Sequence, residues 1–122
     1  MLTILKEEIN DNLIDFLNKL NVKQDLQDKI IMAVKEGEHY LGVGALELRV
    51  DKVYLNFLAT EEDNLIIKLS IIKSLLNLAD LRGIKTVYGD NPELYSYYKM
   101  ARFKETNGEY SVDLSGYFNC CE

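Results

Sequence analysis

The sequence predicts an α+β (mixed α/β) fold, a mixed central sheet flanked by helices, within one domain spanning residues 1–122. Three observations lead there. The hydrophobic period changes from two to about 3.6 after Thr60. Before that point, β-branched and aromatic runs are separated by the tight polar turns "KEGEH" and "VDK"; after it, an Asn-Gly dipeptide splits two short strand-like runs.

The elements follow in order. "MLTIL" is a short apolar run suited to a first strand. Ile9, Leu13, Phe16, Leu17 and Leu20 keep helical spacing, with Asn10, Asp11 and Asn12 near the start to cap it. "VKQDLQD" is polar and reads as a short helix or a loop. The stretch from Ile30 to Thr60 forms three consecutive antiparallel strands. In the middle one, alternation puts Tyr40, Gly42, Gly44, Leu46, Leu48 and Val50 on one face and His39, Leu41, Val43, Ala45, Glu47 and Arg49 on the other. Gly42 and Gly44 mark a bulge, a close ligand approach, or a bare strand under a helix. Leu65, Leu69, Ile72, Leu76 and Ala79 then define an amphipathic helix closed by Gly83. "IKTVYG" is a short strand, and Asn91 with Pro92 opens the next helix. "RFKE" and "EYSVDL" around "TNGE" make the final pair of strands.

At 122 residues, with 48% apolar and 28% charged side chains, the chain is long enough to bury a core. Fourteen basic against 20 acidic residues give a formal charge of −6 without a basic cluster. That balance predicts no nucleic-acid partner and no membrane partner, and a bias toward neutral or cationic small ligands. No apolar run approaches transmembrane length and no leader is evident at the N-terminus, so the reading is cytoplasmic. Cys120 and Cys121 are adjacent and the only histidine is His39, so no metal site is expected and the thiols read as incidental.

Two candidates come from the residues themselves. Glu47, a carboxylate among apolar strand neighbours, is a candidate general base with a raised pKa. His39 follows a turn and reads as exposed. The acids Glu61, Glu62 and Asp63 read first as a helix-start feature.

The element order, together with "GVGALEL", "LLNLADLRGIKTVYG" and "NPELYSYYKMARF", resembles the GNAT superfamily of acyl-CoA-dependent N-acetyltransferases, well over about residues 30–115 and by element order alone before that. The resemblance implies a fourth and a fifth strand that splay apart to admit the pantetheine arm of acetyl-CoA. Phe57, Leu58, Ala59 and Thr60 would line that arm by their backbone. Asn91 matches the family's asparagine ahead of its next helix, and Tyr98 matches the tyrosine of Phe-Tyr-x-x-x-Gly-Phe, which protonates the departing thiolate. The acceptor would be a small-molecule or peptide amine, and a homodimer is a possible assembly.

The sequence departs from the family pattern in two places. Arg102 stands where the pattern has glycine. The Gln/Arg-x-x-Gly-x-Gly/Ala phosphate loop aligns with Asp63, Asn64, Leu65, Ile66, Ile67 and Lys68, so the arginine has become aspartate and both glycines are gone. Such a loop works by offering helix N-terminal amides to a pyrophosphate. An isoleucine in the way and three carboxylates nearby predict weak acetyl-CoA binding there. The sequence therefore supports two readings: an acetyltransferase acting on a primary amine, or a catalytically inactive module of the same fold serving binding, regulation or dimer formation.

Overall fold

The computed structural model describes residues 2–23 and 25–119; Cys120 and Cys121 lie outside the described residues. The chain runs through β1 (Leu2–Glu7), α1 (Asp11–Lys19), β2 (Lys29–Glu36), β3 (His39–Leu48), β4 (Val53–Thr60), α2 (Leu65–Leu81), β5 (Thr86–Gly89), α3 (Tyr95–Met100), β6 (Lys104–Thr106) and β7 (Glu109–Asp113). Single 3-10 turns cover Pro92–Leu94 and Tyr117–Asn119. The strands form one sheet in the order β1-β2-β3-β4-β5-β7-β6. All neighbours are antiparallel except β4 and β5, which are parallel and need a long crossover, supplied by α2. The mixed sheet flanked by helices is the architecture predicted. "VKQDLQD" carries no helix or strand among its described residues.

Local chemistry explains the boundaries. Asn10 Oδ1 accepts the Leu13 N–H at 2.9 Å at the head of α1, and Asn64 Oδ1 accepts the Ile67 N–H at 3.1 Å at the head of α2. At the tail of α2, Gly83 has φ +82°. The Ile84 N–H there returns to the Ala79 carbonyl at 3.0 Å and the Gly83 N–H to that of Asp80 at 3.0 Å. Asn107 and Gly108 both have positive φ, the requirement of a two-residue hairpin turn between β6 and β7.

Two apolar layers sandwich the sheet. Ile71, Ile72, Leu75, Leu76 and Ala79 of α2 pack with Tyr98 of α3 on one face; Leu13, Phe16 and Leu17 of α1 pack on the other. β2 is buried on both sides, alternating Ile30, Met32 and Val34 toward α2 with Ile31 and Ala33 toward α1. Gly42 and Gly44 serve close helix packing: a Cβ on Gly44 would stand 2.5 Å from Ile71 Cγ2, and one on Gly42 would stand 2.9 Å from Ile71 Cδ1. Of the three sequence-based options for these glycines, the bare strand under a helix is observed at both, and Gly42 also borders a bulge.

β3 corrects one expectation. Tyr40 does not share a face with Gly42; it packs beside Phe16 on the α1 side, with ring centroids 5.5 Å apart. The β2–β3 register passes from Val34↔Gly42 to Lys35↔Tyr40, leaving Leu41 as an extra residue. Such a bulge moves every residue before it to the opposite face.

Candidate functional site

A second bulge sets up the site. Between β3 and β4 the register passes from Ala45↔Phe57 to Leu46↔Leu55, so Asn56 is the extra residue of β4. On the other side of β4, the parallel pairing with β5 comprises only Val53↔Val87 and Tyr54↔Tyr88. Beyond Tyr54 the two strands part. β4 continues to Thr60 against β3, while β5 ends at Gly89 and the chain turns through Asp90 and Asn91 into α3.

Tyr98 occupies the apex of this angle. Its side chain is fully buried. Its hydroxyl donates to the Leu55 carbonyl at 2.6 Å and accepts the Asn91 N–H at 3.4 Å. The ring lies 4.9 Å from that of Phe103 and 5.6 Å from that of Tyr110, centroid to centroid. Gly89 makes room for it, because a Cβ there would stand 2.4 Å from Tyr98 Cζ. Burial pushes the phenol well above its usual pKa, so the hydroxyl keeps its proton at neutral pH. Asn91 completes the apex: its Nδ2 donates to the Asn56 carbonyl at 3.0 Å, and its Oδ1 accepts the Glu93 N–H at 3.0 Å.

Past the apex, β4 offers an open backbone edge. The Glu61 N–H donates to the Leu41 carbonyl at 2.9 Å. Alternation along the strand then turns the peptide groups of Phe57 and Ala59 toward β3 and those of Leu58 and Thr60 toward the gap. The side chains of Phe57 and Ala59 pack on the α1 side and that of Leu58 on the α2 side. Thr60 Oγ1 donates to the Glu62 carbonyl at 2.6 Å.

The start of α2 differs in detail from the sequence-based picture. Asn64 takes the Ile67 N–H with its side chain and the Lys68 N–H with its carbonyl, leaving the Leu65 and Ile66 amides of the first turn outside these caps. Ile66 is 77% exposed, with its side chain on the solvent side of the helix start. Two of the three acids have nitrogen partners: Asp63 accepts from Lys68 Nζ at 2.7 Å, and Glu61 lies 3.0 Å from His39 Nε2. Lys68 Nζ also donates to the Tyr97 hydroxyl at 3.0 Å. These bonds, Asp63 first and Tyr97 second, raise the lysine's pKa and keep it charged.

Glu47 sits on β3 beside the bulge, opposite Tyr54. Its Oε1 accepts from Arg49 at 3.0 Å and from Asn56 Nδ2 at 2.6 Å. The expected raised pKa is reversed: the Arg49 bond, then the Asn56 bond, hold the carboxyl below its usual range, outweighing desolvation. Arg49 also reaches Asp90 at 3.0 Å and stacks 3.8 Å from the Tyr54 ring centre. Sequence reading missed Asn56. The available signal was a lone amide in the apolar strand "VYLNFLAT", where asparagine is disfavoured. Asn56 Oδ1 is buried and meets no donor. Among the described residues no group of three or more His, Cys, Asp or Glu side chains is placed to hold a metal ion, and no helix is long and apolar enough to cross a membrane.

Arg102, at the family's glycine position, has φ +69°, the left-handed region that favours glycine. Its guanidinium donates to the Tyr117 carbonyl at 3.1 Å and stacks 4.0 Å from the Tyr117 ring centre, contacts that a glycine lacks.

No family model matches the sequence, and no curated protein matches it. Solved structures do. An acetyltransferase of the GNAT family from Staphylococcus aureus Mu50 superposes with a TM-score of 0.70 at 15% identity, covering 93% of this chain and 99% of that one. A Bacillus subtilis acetyltransferase in complex with CoA gives 0.67 at 17% identity, over 93% and 99% of the two chains. The ribosomal-protein-S18-alanine N-acetyltransferase of Escherichia coli gives 0.65 at 13% identity, over 92% and 90%. At these identities the likeness establishes the fold, which is that of the GNAT acetyltransferases.

Proposed function

We propose that the protein is an N-acetyltransferase that moves an acetyl group from acetyl-CoA to a primary amine. The observation that carries this reading is the parting of β4 from β5 after two residue pairs, with a tyrosine hydroxyl at the apex and an unladdered backbone edge leading away from it. In a parallel pair a ladder that stops early leaves peptide groups without partners. Leu58 and Thr60 of β4 present such groups, flanked by Phe57 and Ala59, and suit the alternating amides of a pantetheine arm. Asn91 stands at the entry to the same gap.

The pyrophosphate would meet the Leu65 and Ile66 amides and the Lys68 ammonium, with Asn64 and Ile67 fixing the helix start. The pairing of Asp63 with Lys68 opposes that contact, since an arriving phosphate must draw the lysine from an existing partner. Weak binding remains the expectation, on the electrostatic ground of this pairing together with the isoleucine at the family's glycine position.

When bound, acetyl-CoA supplies a thioester carbon to which the amine nitrogen bonds through its lone pair as the C–S bond breaks and the sulfur leaves as a thiolate. The chain's own residues handle protons and position. Tyr98 carries a firmly held proton at the apex and is the acid for the leaving sulfur once its bond to the Leu55 carbonyl gives way. Glu47 is ionised at neutral pH and takes the amine's proton, directly or through water; its lowered pKa makes it a modest base.

Calorimetric titration with acetyl-CoA, with the dephospho and desulfo analogues alongside, tests the reading together with thiol release in the presence of amines. The expected result is weak but measurable heat and amine-dependent release that Tyr98→Phe slows by about 10²–10⁴-fold. No heat at millimolar acetyl-CoA leaves the chain as a non-catalytic module of this fold.

A further inference from the structure

The two halves of coenzyme A would meet very different surfaces on this chain. The thioester arm has the gap, where Leu58 and Thr60 turn their peptide groups away from β3 and the β4–β5 ladder has already stopped. The nucleotide half would lie past the mouth of the gap, where β4 ends and α2 begins. Of the first four amides of α2, those of Ile67 and Lys68 are spent on Asn64, and the Asn64 N–H itself returns to the Glu62 carbonyl at 2.8 Å. Leu65 and Ile66 carry the two amides left over. Their side chains are 45% and 77% exposed, so a phosphate seeking those amides would leave water for a surface of apolar groups.

The charges receive it no better. Lys68 is already engaged: Nζ donates to Asp63 at 2.7 Å and to the Tyr97 hydroxyl at 3.0 Å, lies 5.1 Å from the Tyr97 ring centre, and belongs to a side chain only 17% exposed. Lys73 stands five residues further along α2, about 140° around the helix from Lys68, and Lys99 stands two residues beyond Tyr97, about 200° around α3. On the α1 side of the loop, Lys19 and His39 line one hollow with Asp15, Glu38 and Glu61. With Glu62 and Asp63 added, five carboxylates stand around the loop against Lys19, Lys68 and His39. A diphosphate is therefore repelled whether or not the histidine is protonated.

We propose that the acyl donor is recognised by its pantetheine arm alone, so that thioesters of pantetheine lacking the nucleotide serve as well as acetyl-CoA does. The inference rests on the acetyltransferase reading for its reaction, while the binding comparison stands without it. The transfer step keeps its balance: the amine nitrogen bonds to the thioester carbon, the C–S bond breaks, and pantetheine leaves as a thiolate that takes up a proton. In a site that gripped the diphosphate, each charge-assisted N–H contact would favour acetyl-CoA by about tenfold or more, and such remote binding energy would reach kcat as well as KM. Here the adenosine end stays in solvent.

CoA and pantetheine are each titrated into the whole protein without amine. Calorimetry gives the affinities, and NMR follows the backbone amides of Leu58, Thr60, Leu65 and Ile66. The affinities are expected to agree within about fivefold, with both compounds shifting Leu58 and Thr60 and with CoA moving Leu65 and Ile66 no further than pantetheine does. CoA affinity should hold or rise between about 0.05 M and about 0.5 M salt, because screening relieves repulsion. CoA binding more than about fivefold tighter than pantetheine, a fall in CoA affinity with salt, or no binding of pantetheine at millimolar concentration overturns the proposal. Thiol release from acetyl-CoA and from S-acetylpantetheine, each with an alkylamine, then separates the two ideas. Matched affinities without release from either donor defeat transfer and keep recognition by the arm. Release from acetyl-CoA at a kcat/KM more than about fivefold above that of S-acetylpantetheine keeps transfer and defeats recognition by the arm alone.

Discussion

Gly89→Ala places one methyl group against the side chain that holds the apex together. Gly89 is not among the residues with positive φ, so alanine meets no backbone strain, and the effect is one of space alone. The new Cβ would stand 2.4 Å from Tyr98 Cζ, 2.5 Å from Cε2 and 2.6 Å from Cε1. Carbon atoms rest at about 3.5–4.0 Å, so the ring must retreat by about 1 Å or more. Retreat is blocked by Phe103 and Tyr110 and by the 2.6 Å bond from the hydroxyl to the Leu55 carbonyl. Overpacking of this kind costs about 1–3 kcal/mol, and loss of the buried hydroxyl bond adds about 1–3 kcal/mol, for about 2–6 kcal/mol in all. Urea unfolding of wild type and variant at constant slope measures it. The same substitution in a Tyr98→Leu background should cost far less, because both changes act on one contact. A loss below about 1 kcal/mol in the wild-type background, or full additivity with Tyr98→Leu, would show that Tyr98 is not wedged between β4 and β5 as described.

Other substitutions test neighbouring parts of the argument. Tyr98→Phe leaves the Leu55 carbonyl without its donor and should destabilise by about 1–3 kcal/mol in urea unfolding, while lowering the transfer rate by about 10²–10⁴-fold in a thiol-release assay. Asn64→Ala removes the cap on the Ile67 N–H and should cost about 0.5–2 kcal/mol, read by thermal unfolding. Asp63→Asn frees Lys68 and should tighten CoA binding, with calorimetry as the check; unchanged affinity rules out the ion pair as the obstacle. Glu47 has a folded-state pKa below its unfolded one, so its contribution to stability is present above the unfolded value and is lost as pH falls through the folded one. The stability gap between wild type and Glu47→Gln should therefore close in acid, below the ordinary glutamate range, and persist at neutral pH.

Much of the architecture was legible because its signals are local. Asn91 with Pro92, Gly83 after α2, and Asn107-Gly108 each encode a boundary in two or three residues. The bulges were not legible. Leu41 and Asn56 are extra only relative to a partner strand, and nothing in "HYLGVGALEL" or "VYLNFLAT" announces a skipped pair. That single gap explains both the misplaced face of Tyr40 and the omission of Asn56. The direction of the Glu47 pKa failed for a related reason. Its apolar strand neighbours are visible in sequence, whereas Asn56 reaches it across the ladder from nine positions away. The gap between the strands was implied by resemblance, and its two-pair length is a property of the register.

A strand laddered on one side only carries two kinds of amide in strict succession. In β4, Phe57 and Ala59 have their N–H groups locked against β3, and Leu58 and Thr60 turn theirs to the gap. Hydrogen exchange along this stretch is therefore split residue by residue, slow and fast in turn, inside an element that is otherwise continuous. Any molecule that lies along the gap and accepts from those two positions erases the alternation, and so reports its own presence without a label.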